Sequence, residues 1–213
     1  MEQHRNGKIL ALLFTGVLMG ALDISIVGPA IPAIEQTIRV DHKLLSWIFS
    51  IYVLFNLVGV SFLAKLSDLY GRRNIYMLSV AIFAFGSAIV ALSDSITLLL
   101  VGRAVQGFGA SGIFPVASAV IGDIYPPEKR GRTLGMIGAV FGIAFIIGPV
   151  IAGVLLLLFK WNVLFLVNLP IAAVVIFFSW HLLPSKKSTA KLHFDWTGMA
   201  LIALLLASFA YGI

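Results

Sequence analysis

The chain has 213 residues, of which 60% are hydrophobic and 11% are charged, and its mean hydropathy is +1.05. A soluble domain carries about 25% charged residues, so this composition excludes an ordinary water-soluble fold. The absence of cysteine excludes disulfides and thiolate metal sites. The net charge of +6 does not indicate nucleic-acid binding, because the cations lie in short segments between apolar runs.

Seven apolar segments follow one another along the chain, and the longer ones reach the ~20 residues that a helix needs to cross a bilayer. They cover approximately residues 9–33, 44–63, 75–92, 96–121, 134–159, 163–183 and 196–213. Short connections between them favour antiparallel neighbours in a helical bundle. We therefore predict an all-α, polytopic membrane protein, with a six-helix bundle over residues 1–184 and a seventh transmembrane helix after it.

The connection between the second and third segments is a charged island, residues 64–73, with almost no charge on either side. Such an island is typical of a tight loop between two transmembrane helices, and Gly71 allows the turn. With the N-terminus inside, eleven of the fifteen Lys and Arg residues fall in inner segments, three in outer segments and one within a span. This bias predicts a multi-pass cell-membrane protein with a cytoplasmic N-terminus.

The polar, basic residues 185–194 predict a cytoplasmic linker between the six-helix bundle and the seventh helix, residues 195–213. The last apolar segment reaches Ile213 without a flanking charge. We therefore expect the seventh helix to be truncated and the chain to be part of a longer protein.

Two charged residues lie well inside apolar segments, Asp23 in the first and Arg103 in the fourth. A charge at the centre of a spanning helix costs at least about 2.5–3.5 kcal/mol, so both residues are functional candidates. At ~1.5 Å per residue, Asp23 lies about 21 Å from the inner start of its span, and Arg103 lies about 10 Å from the outer start of its own. In a ~30 Å hydrocarbon core they could share one level. They either pair or share a cavity, or they make separate structural contacts, with Arg103 snorkelling outward.

A carboxylate that gains and loses a proton in a dry cavity is a candidate proton-coupling group. Arg103 would favour the ionised form of Asp23 when the two are close, and it would no longer do so when they are far apart. This hypothesis rests only on the depths of Asp23 and Arg103 in the hydrocarbon core.

Glycines at helical spacing on three spans indicate close helix packing. They are Gly16 and Gly20 on the first span, Gly102, Gly107, Gly109 and Gly112 on the fourth, and Gly135, Gly138, Gly142, Gly148 and Gly153 on the fifth. The sequence contains no nucleophile elbow, phosphate loop or metal-ligand spacing. We therefore predict a protein that is not an enzyme and that has no cofactor or metal.

Several motifs that follow one another along the chain resemble those of the major facilitator superfamily, and more narrowly those of its fourteen-helix drug/proton antiporters. The loop motif matches at Leu66, Asp68, Gly71, Arg72 and Arg73; the fourth-helix motif at Leu99, Arg103, Gln106, Gly107 and Gly109; and the fifth-helix antiporter motif at Gly135, Gly148, Pro149 and Gly153. Residues 22–25 with 30–32 resemble the first-helix motif, and residues 194–198 resemble the entry to the seventh helix. The resemblance covers nearly the whole chain, as the N-terminal half of such a transporter.

The resemblance implies roles for these residues. Asp68, Gly71, Arg72 and Arg73 would belong to a cytoplasmic charge latch that stabilises one access state, with Asp123 as a partner for one of the arginines. The alternative for the loop is a solvated segment that only sets topology. The fifth-helix motif would bend and seal against the opposite half of the transporter. Asp23, Arg103 and Gln106 would serve proton coupling in the central cavity.

The implied function is proton-driven export of drugs or other small lipophilic or cationic molecules by alternating access, which needs two halves rocking around a midplane site. The implied partners are the lipid bilayer, protons, the exported molecule and the missing C-terminal half. Two alternatives stay open: a non-transporting, truncated half protein, and a major facilitator for another small solute such as a sugar.

Overall fold

The computed structural model describes residues 2–38 and 40–184, together with positions 198, 201, 204, 205 and 208. Within these residues the chain is helical, with short connections and no strand. Its helices are α1 (Glu2–Ile38), α2 (His42–Tyr70), α3 (Arg72–Ala91), α4 (Ile96–Ile124), α5 (Pro127–Leu158), α6 (Asn162–Leu166) and α7 (Asn168–Leu182). The predicted all-α fold is confirmed.

Six stretches of the described chain are long and apolar enough to cross a membrane: α1 to α5 each supply one, and α6 with α7 supplies the sixth. The helices extend beyond the predicted apolar segments, and α1 alone has 37 residues. An apolar segment marks only the part of a helix that suits hydrocarbon, whereas the helix continues into its polar ends. The predicted linker, 185–194, lies outside the described residues, as does most of the predicted seventh helix; its five described positions are helical.

Local sequence explains where several helices begin. Gly71 joins α2 to α3 with a φ of 92°, a left-handed conformation that glycine adopts without strain. The Ser95 hydroxyl caps α4 by accepting a hydrogen bond from the Leu98 amide at 3.4 Å. Pro127 occupies the first turn of α5, where its missing N–H leaves no helical carbonyl unpaired.

Helix α4 packs closely against α2 and α3 because its glycines allow the backbones to approach. A Cβ atom on Gly107 would overlap the backbone carbonyl of Tyr52 on α2, and one on Gly109 would overlap the backbone of Phe83 on α3. The other two α4 glycines of the predicted set also face α3, one at Val90 and one at Ser79. The predicted packing role of the α4 glycines is confirmed.

Helix α5 packs on α1 through one narrow face. Its buried residues recur every three or four positions: Thr133, Ile137, Val140, Ala144, Gly148 and Ala152. Gly148 lies against the Ser25 hydroxyl, which donates to the Ala144 carbonyl at 3.0 Å. Gly20, Gly135, Gly138, Gly142 and Gly153 have no described neighbour within 4 Å of an added Cβ, so close packing at these positions stays a prediction. Glycine spacing identifies a stripe on a helix, but it does not identify what the stripe faces.

The core consists of two apolar clusters stacked along the bundle axis. We call the end that holds the α2–α3 and α4–α5 connections the basic end. The basic-end cluster includes Leu13, Phe83 and Val116, and the far-end cluster includes Ile34 and Trp161. Between the positions that belong to the two clusters lie Asp23 and Ser25 on α1, Ser87 on α3, and Arg103 and Gln106 on α4.

Candidate functional site

Five polar side chains from four helices form a buried network between the two apolar clusters. They are Asp23 on α1, Ser87 on α3, Arg103 and Gln106 on α4, and Asn168 on α7. Asp23 and Arg103 are both 0% exposed, so neither charge reaches solvent across the described surface. The structure therefore brings together the two intramembrane charges that the sequence singled out.

The Asp23 carboxylate accepts three hydrogen bonds. Arg103 Nη1 donates to Oδ2 at 2.6 Å, while Gln106 Nε2 and Asn168 Nδ2 each donate to Oδ1 at 2.9 Å. Arg103 Nη1 also lies 2.9 Å from Gln106 Oε1. Ser87 Oγ closes the network by accepting from Gln106 at 2.6 Å and from Asn168 at 3.2 Å. These contacts give the fully buried carboxylate of Asp23 three hydrogen-bond donors.

Asn168 lies on the sixth span, two residues before a proline. Pro170 has no amide hydrogen to donate to the Leu166 carbonyl, so one hydrogen bond of the helical ladder is missing, while Val167 between α6 and α7 keeps helical dihedral angles. Asn168 is the first residue of α7. Its buried position brings the side-chain amide within 2.9 Å of Asp23 Oδ1.

The Arg103 guanidinium is held from the α2 side as well. Its Nε donates to the Ile48 carbonyl at 3.2 Å, and its Cζ lies 4.2 Å from the centre of the Tyr52 ring. The Phe165 ring is more distant, at 5.9 Å. A guanidinium over an aromatic face gains about 0.5–2 kcal/mol, more where water is excluded. Nη2 of Arg103 and the hydroxyl of Tyr52 have no hydrogen-bond partner among the described residues.

A cavity of about 340 Å³ lies beside this network, between α1, α2, α4 and α5. Most of its lining is apolar, and its polar side chains are Tyr52, Asn56, Ser111 and Ser118. No charged side chain of the described residues lines it. Such a cavity suits a lipophilic molecule with few hydrogen-bonding groups.

At the basic end, Arg72 joins three elements. Its Nη1 lies 2.5 Å from Asp68 Oδ1 on α2 and donates to Ser67 Oγ at 2.6 Å, and its Nε lies 3.3 Å from Asp123 Oδ2 on α4. The Asp68 and Asp123 side chains are 37% and 56% exposed, so each ion pair contributes at most about 1 kcal/mol. The structure thus places Asp68, Arg72 and Asp123 together, as a partly solvated cluster.

Arg73 faces a different neighbour. Its Nη1 donates to the Trp180 carbonyl at 3.3 Å, and its Cζ lies 4.8 Å from the centre of that indole. Arg73 therefore connects the start of α3 to the last turns of α7 and stands apart from the Asp68–Arg72–Asp123 cluster. Gly71 supplies the turn that directs the two arginines to separate partners.

The residues of the fifth-helix motif divide between two faces of α5. Gly148 is buried against Ser25, whereas Gly135, Pro149 and Gly153 are exposed in the described chain. Around them, Ile146 is 75% exposed and Leu157 is 85% exposed. This face of α5 is apolar and lacks a protein partner among the described residues.

Sequence reasoning missed Ser87, Asn168 and Tyr52 as members of the site. Serine and asparagine carry no charge, so their presence in an apolar segment did not stand out. The amide of Asn168 inside an apolar span was the available signal, because a polar side chain within a span usually faces protein partners. Nothing in the sequence distinguished Tyr52 from other aromatic residues in the spans.

The model of the Major Facilitator Superfamily matches residues 13–213. The chain belongs to this superfamily. It therefore belongs to a superfamily of multi-span membrane transporters, and not to a family of enzymes.

Named relatives agree with this assignment. The chain is 36% identical over 213 residues to the uncharacterized MFS-type transporter YfiU of Bacillus subtilis, covering 100% of this chain and 41% of YfiU. It is 31% identical to Multidrug resistance protein 3 of the same organism, covering 96% of this chain and 40% of that protein. The chain thus spans about two fifths of the length of these relatives.

Solved structures show the same fold. The xylose transporter XylE from E. coli, in a partially occluded inward-open conformation, superimposes with a TM-score of 0.76 at 11% identity. The match covers 96% of this chain and 57% of XylE. At this identity the likeness concerns the fold alone.

Proposed function

We propose that this chain is the N-terminal half of a proton-driven exporter of small lipophilic molecules that works by alternating access. The observation that carries the proposal is the fully buried Asp23–Arg103 ion pair, held between two apolar clusters and next to an apolar cavity. The name of Multidrug resistance protein 3 supports export of drugs as the activity.

The ion pair is suited to proton coupling because its protonation changes a buried charge balance. While Asp23 is ionised, it neutralises Arg103 and accepts three hydrogen bonds. A proton on Asp23 removes the attraction and leaves the Arg103 charge unpaired, which costs about 3–5 kcal/mol in a buried site. The protonated protein therefore favours a conformation in which Arg103 gains water or another partner. Proton binding and conformation are linked in this way.

The cluster at the basic end is proposed to stabilise one of the two access states. Arg72 holds the end of α2 and the end of α4 together through Asp68 and Asp123. Each contact is weak and partly solvated, so the cluster can open at low energetic cost during a transport cycle. By the positive-inside distribution of the cations, we place this end and the N-terminus on the cytoplasmic side of the cell membrane.

A second half is proposed to complete the transporter. The curated relatives are more than twice as long as this chain, and the open apolar face of α5 offers a surface for further helices. Gly135 and Gly153 on that face leave room for close approach of another helix. Alternating access requires two bundles that rock around a shared cavity.

The experiment is export driven by a pH gradient in everted membrane vesicles. The vesicles contain this chain joined to a second half, and the probes are ethidium, a fluorescent lipophilic cation, and radiolabelled chloramphenicol, which is uncharged. We expect uphill transport of at least one probe, and none from the chain alone. In the Asp23→Asn variant we expect uphill transport to be abolished while downhill exchange continues, because an amide cannot carry the proton.

Two variants control this test. Asp94→Asn makes the same chemical change at an exposed position between α3 and α4, and it should transport like the wild type. Asp23→Glu keeps a titratable carboxyl and should retain part of the uphill transport, even where the Asn variant folds poorly because Arg103 is unpaired. Full uphill transport by Asp23→Asn would contradict proton coupling at this residue. Transport by the chain alone would contradict the need for a second half.

A further inference from the structure

We propose that Tyr52 is the positioning residue that couples the cavity to the buried ion pair. In this assignment its hydroxyl binds a hydrogen-bonding group of the cargo, and its ring then holds the Arg103 guanidinium against Asp23. The inference rests on the proposed function, since it specifies how cargo and proton exclude each other.

Tyr52 occupies the boundary between the two sites. Asp23, Arg103 and Gln106 are fully buried, and none of them lines the cavity. Tyr52 lines the cavity and also stacks on Arg103, with Cζ 4.2 Å from the ring centre. Of the described cavity-lining residues, it alone has a ring contact, hydrogen bond or ion pair with the network. A molecule in the cavity therefore reaches the ion pair through this side chain.

The polar atoms of the cavity wall are available for a ligand. Tyr52 is 1% exposed, yet its hydroxyl has no hydrogen-bond partner among the described residues. The Ser118 hydroxyl, in the same wall, is also buried without a partner. Buried polar atoms are usually paired, so two unpaired hydroxyls in one apolar cavity indicate where a ligand's polar group binds.

The backbone of Tyr52 is fixed, so a response to cargo has to come from the side chain. Gly107 packs directly on the Tyr52 carbonyl, and Asn56 Nδ2, one turn further along α2, donates to the Gly107 carbonyl at 3.3 Å. These contacts join α2 to α4 at this level. A hydrogen bond from the cargo to the hydroxyl would restrict the remaining freedom of the ring and keep it seated on Arg103.

The coupling step is a proton release. With the ring seated, the guanidinium stays beside Asp23 and favours the ionised carboxylate. The O–H bond of protonated Asp23 breaks, its electron pair stays on the carboxylate, and the proton passes to water. The described neighbours of Asp23 that carry a charge or a titratable proton are Arg103 from α4 and Tyr52 from α2, while α3 and α7 contribute the non-titrating Ser87 and Asn168. By linkage, cargo that expels the proton is in turn expelled by it.

The test separates the hydroxyl from the ring in the complete transporter, purified in detergent. Tyr52→Phe keeps the ring and removes the hydroxyl. We expect its affinity for chloramphenicol, which carries hydroxyl and amide groups, to fall about three- to tenfold, the effect of one hydrogen bond. Its affinity for tetraphenylphosphonium, which has no hydrogen-bonding group, should stay unchanged. An equal loss for both probes would overturn the role of the hydroxyl.

Tyr52→Leu removes the ring. The readout is the release of protons when chloramphenicol binds in weakly buffered solution, and a pH indicator follows it. We expect release to fall to the background level and probe affinity to lose its pH dependence, while some binding remains. Tyr76→Phe is the matched control for Tyr52→Phe. The Tyr76 hydroxyl is also buried and has no partner among the described residues, but Tyr76 does not line the cavity. Wild-type proton release by Tyr52→Leu would overturn the coupling role and leave the proposed function intact. A wild-type transporter that releases no proton would instead contradict the proposed function.

Discussion

Asn168 donates to Asp23 at 2.9 Å and to Ser87 at 3.2 Å, so it supports the ion pair without carrying charge. In Asn168→Ala the Asp23 carboxylate loses one of its three donors. We expect the free energy of unfolding to fall by about 1–2 kcal/mol. We also expect the pH profile of export to change, because Asn168 donates directly to the carboxylate that is proposed to carry the proton. Vesicle export across a pH series and thermal unfolding in detergent measure both effects.

Asn162→Ala provides the control at the same residue scale. Asn162 lies in the same span, and its amide donates to the Ala91 carbonyl at 2.7 Å, within the far end of the bundle. Its loss should lower stability by a similar amount and leave the pH profile in place. A shift of the profile in both variants would indicate a general effect of loosening the sixth span and would count against a specific role for Asn168.

At the scale of elements, the close approach of α3 and α4 depends on glycine. In Gly109→Ala the added methyl group would meet the backbone of Phe83, which cannot move without moving α3. We expect overpacking of about 1–3 kcal/mol and a lower thermal midpoint. Gly138→Ala on α5, where no described atom lies within 4 Å, should leave the midpoint of the chain unchanged. Equal midpoints for the two variants would contradict the packing role of the α4 glycines.

The sequence could predict the spans and the depth of their charges because hydrophobic length and helical rise are local properties. The sequence indicated that Asp23 and Arg103 could lie at the same depth in the membrane. It left open whether they are in contact, because contact depends on how α1 and α4 are rotated about their axes. For the same reason the spacing of Gly138 and its neighbours on α5 did not show that they face away from the other described helices. Ser87 was missed for a related reason. An uncharged hydroxyl in a span can be recognised as a site residue only once its hydrogen-bond partners are known.

At the scale of the whole molecule, different kinds of interaction lie at different depths of the described bundle. The basic end holds the exposed ion pairs of Arg72, the middle holds the buried network around Asp23, and the far end is closed by apolar residues that include Trp161. Charges in the middle are costly unless paired, whereas charges at the basic end are solvated. A proton can therefore change the energy of the bundle most strongly at Asp23.

The orientation of this layered bundle can be measured directly, because the chain contains no cysteine and single cysteines report their own accessibility. Lys129→Cys lies on the basic end at the start of α5, and Asp94→Cys lies on the opposite end between α3 and α4; both positions are exposed. With the basic end in the cytoplasm, a membrane-impermeant maleimide should label only the Asp94→Cys variant in intact cells. In everted vesicles it should label only the Lys129→Cys variant. The reverse pattern would place the N-terminus outside and contradict the orientation predicted from the lysines and arginines.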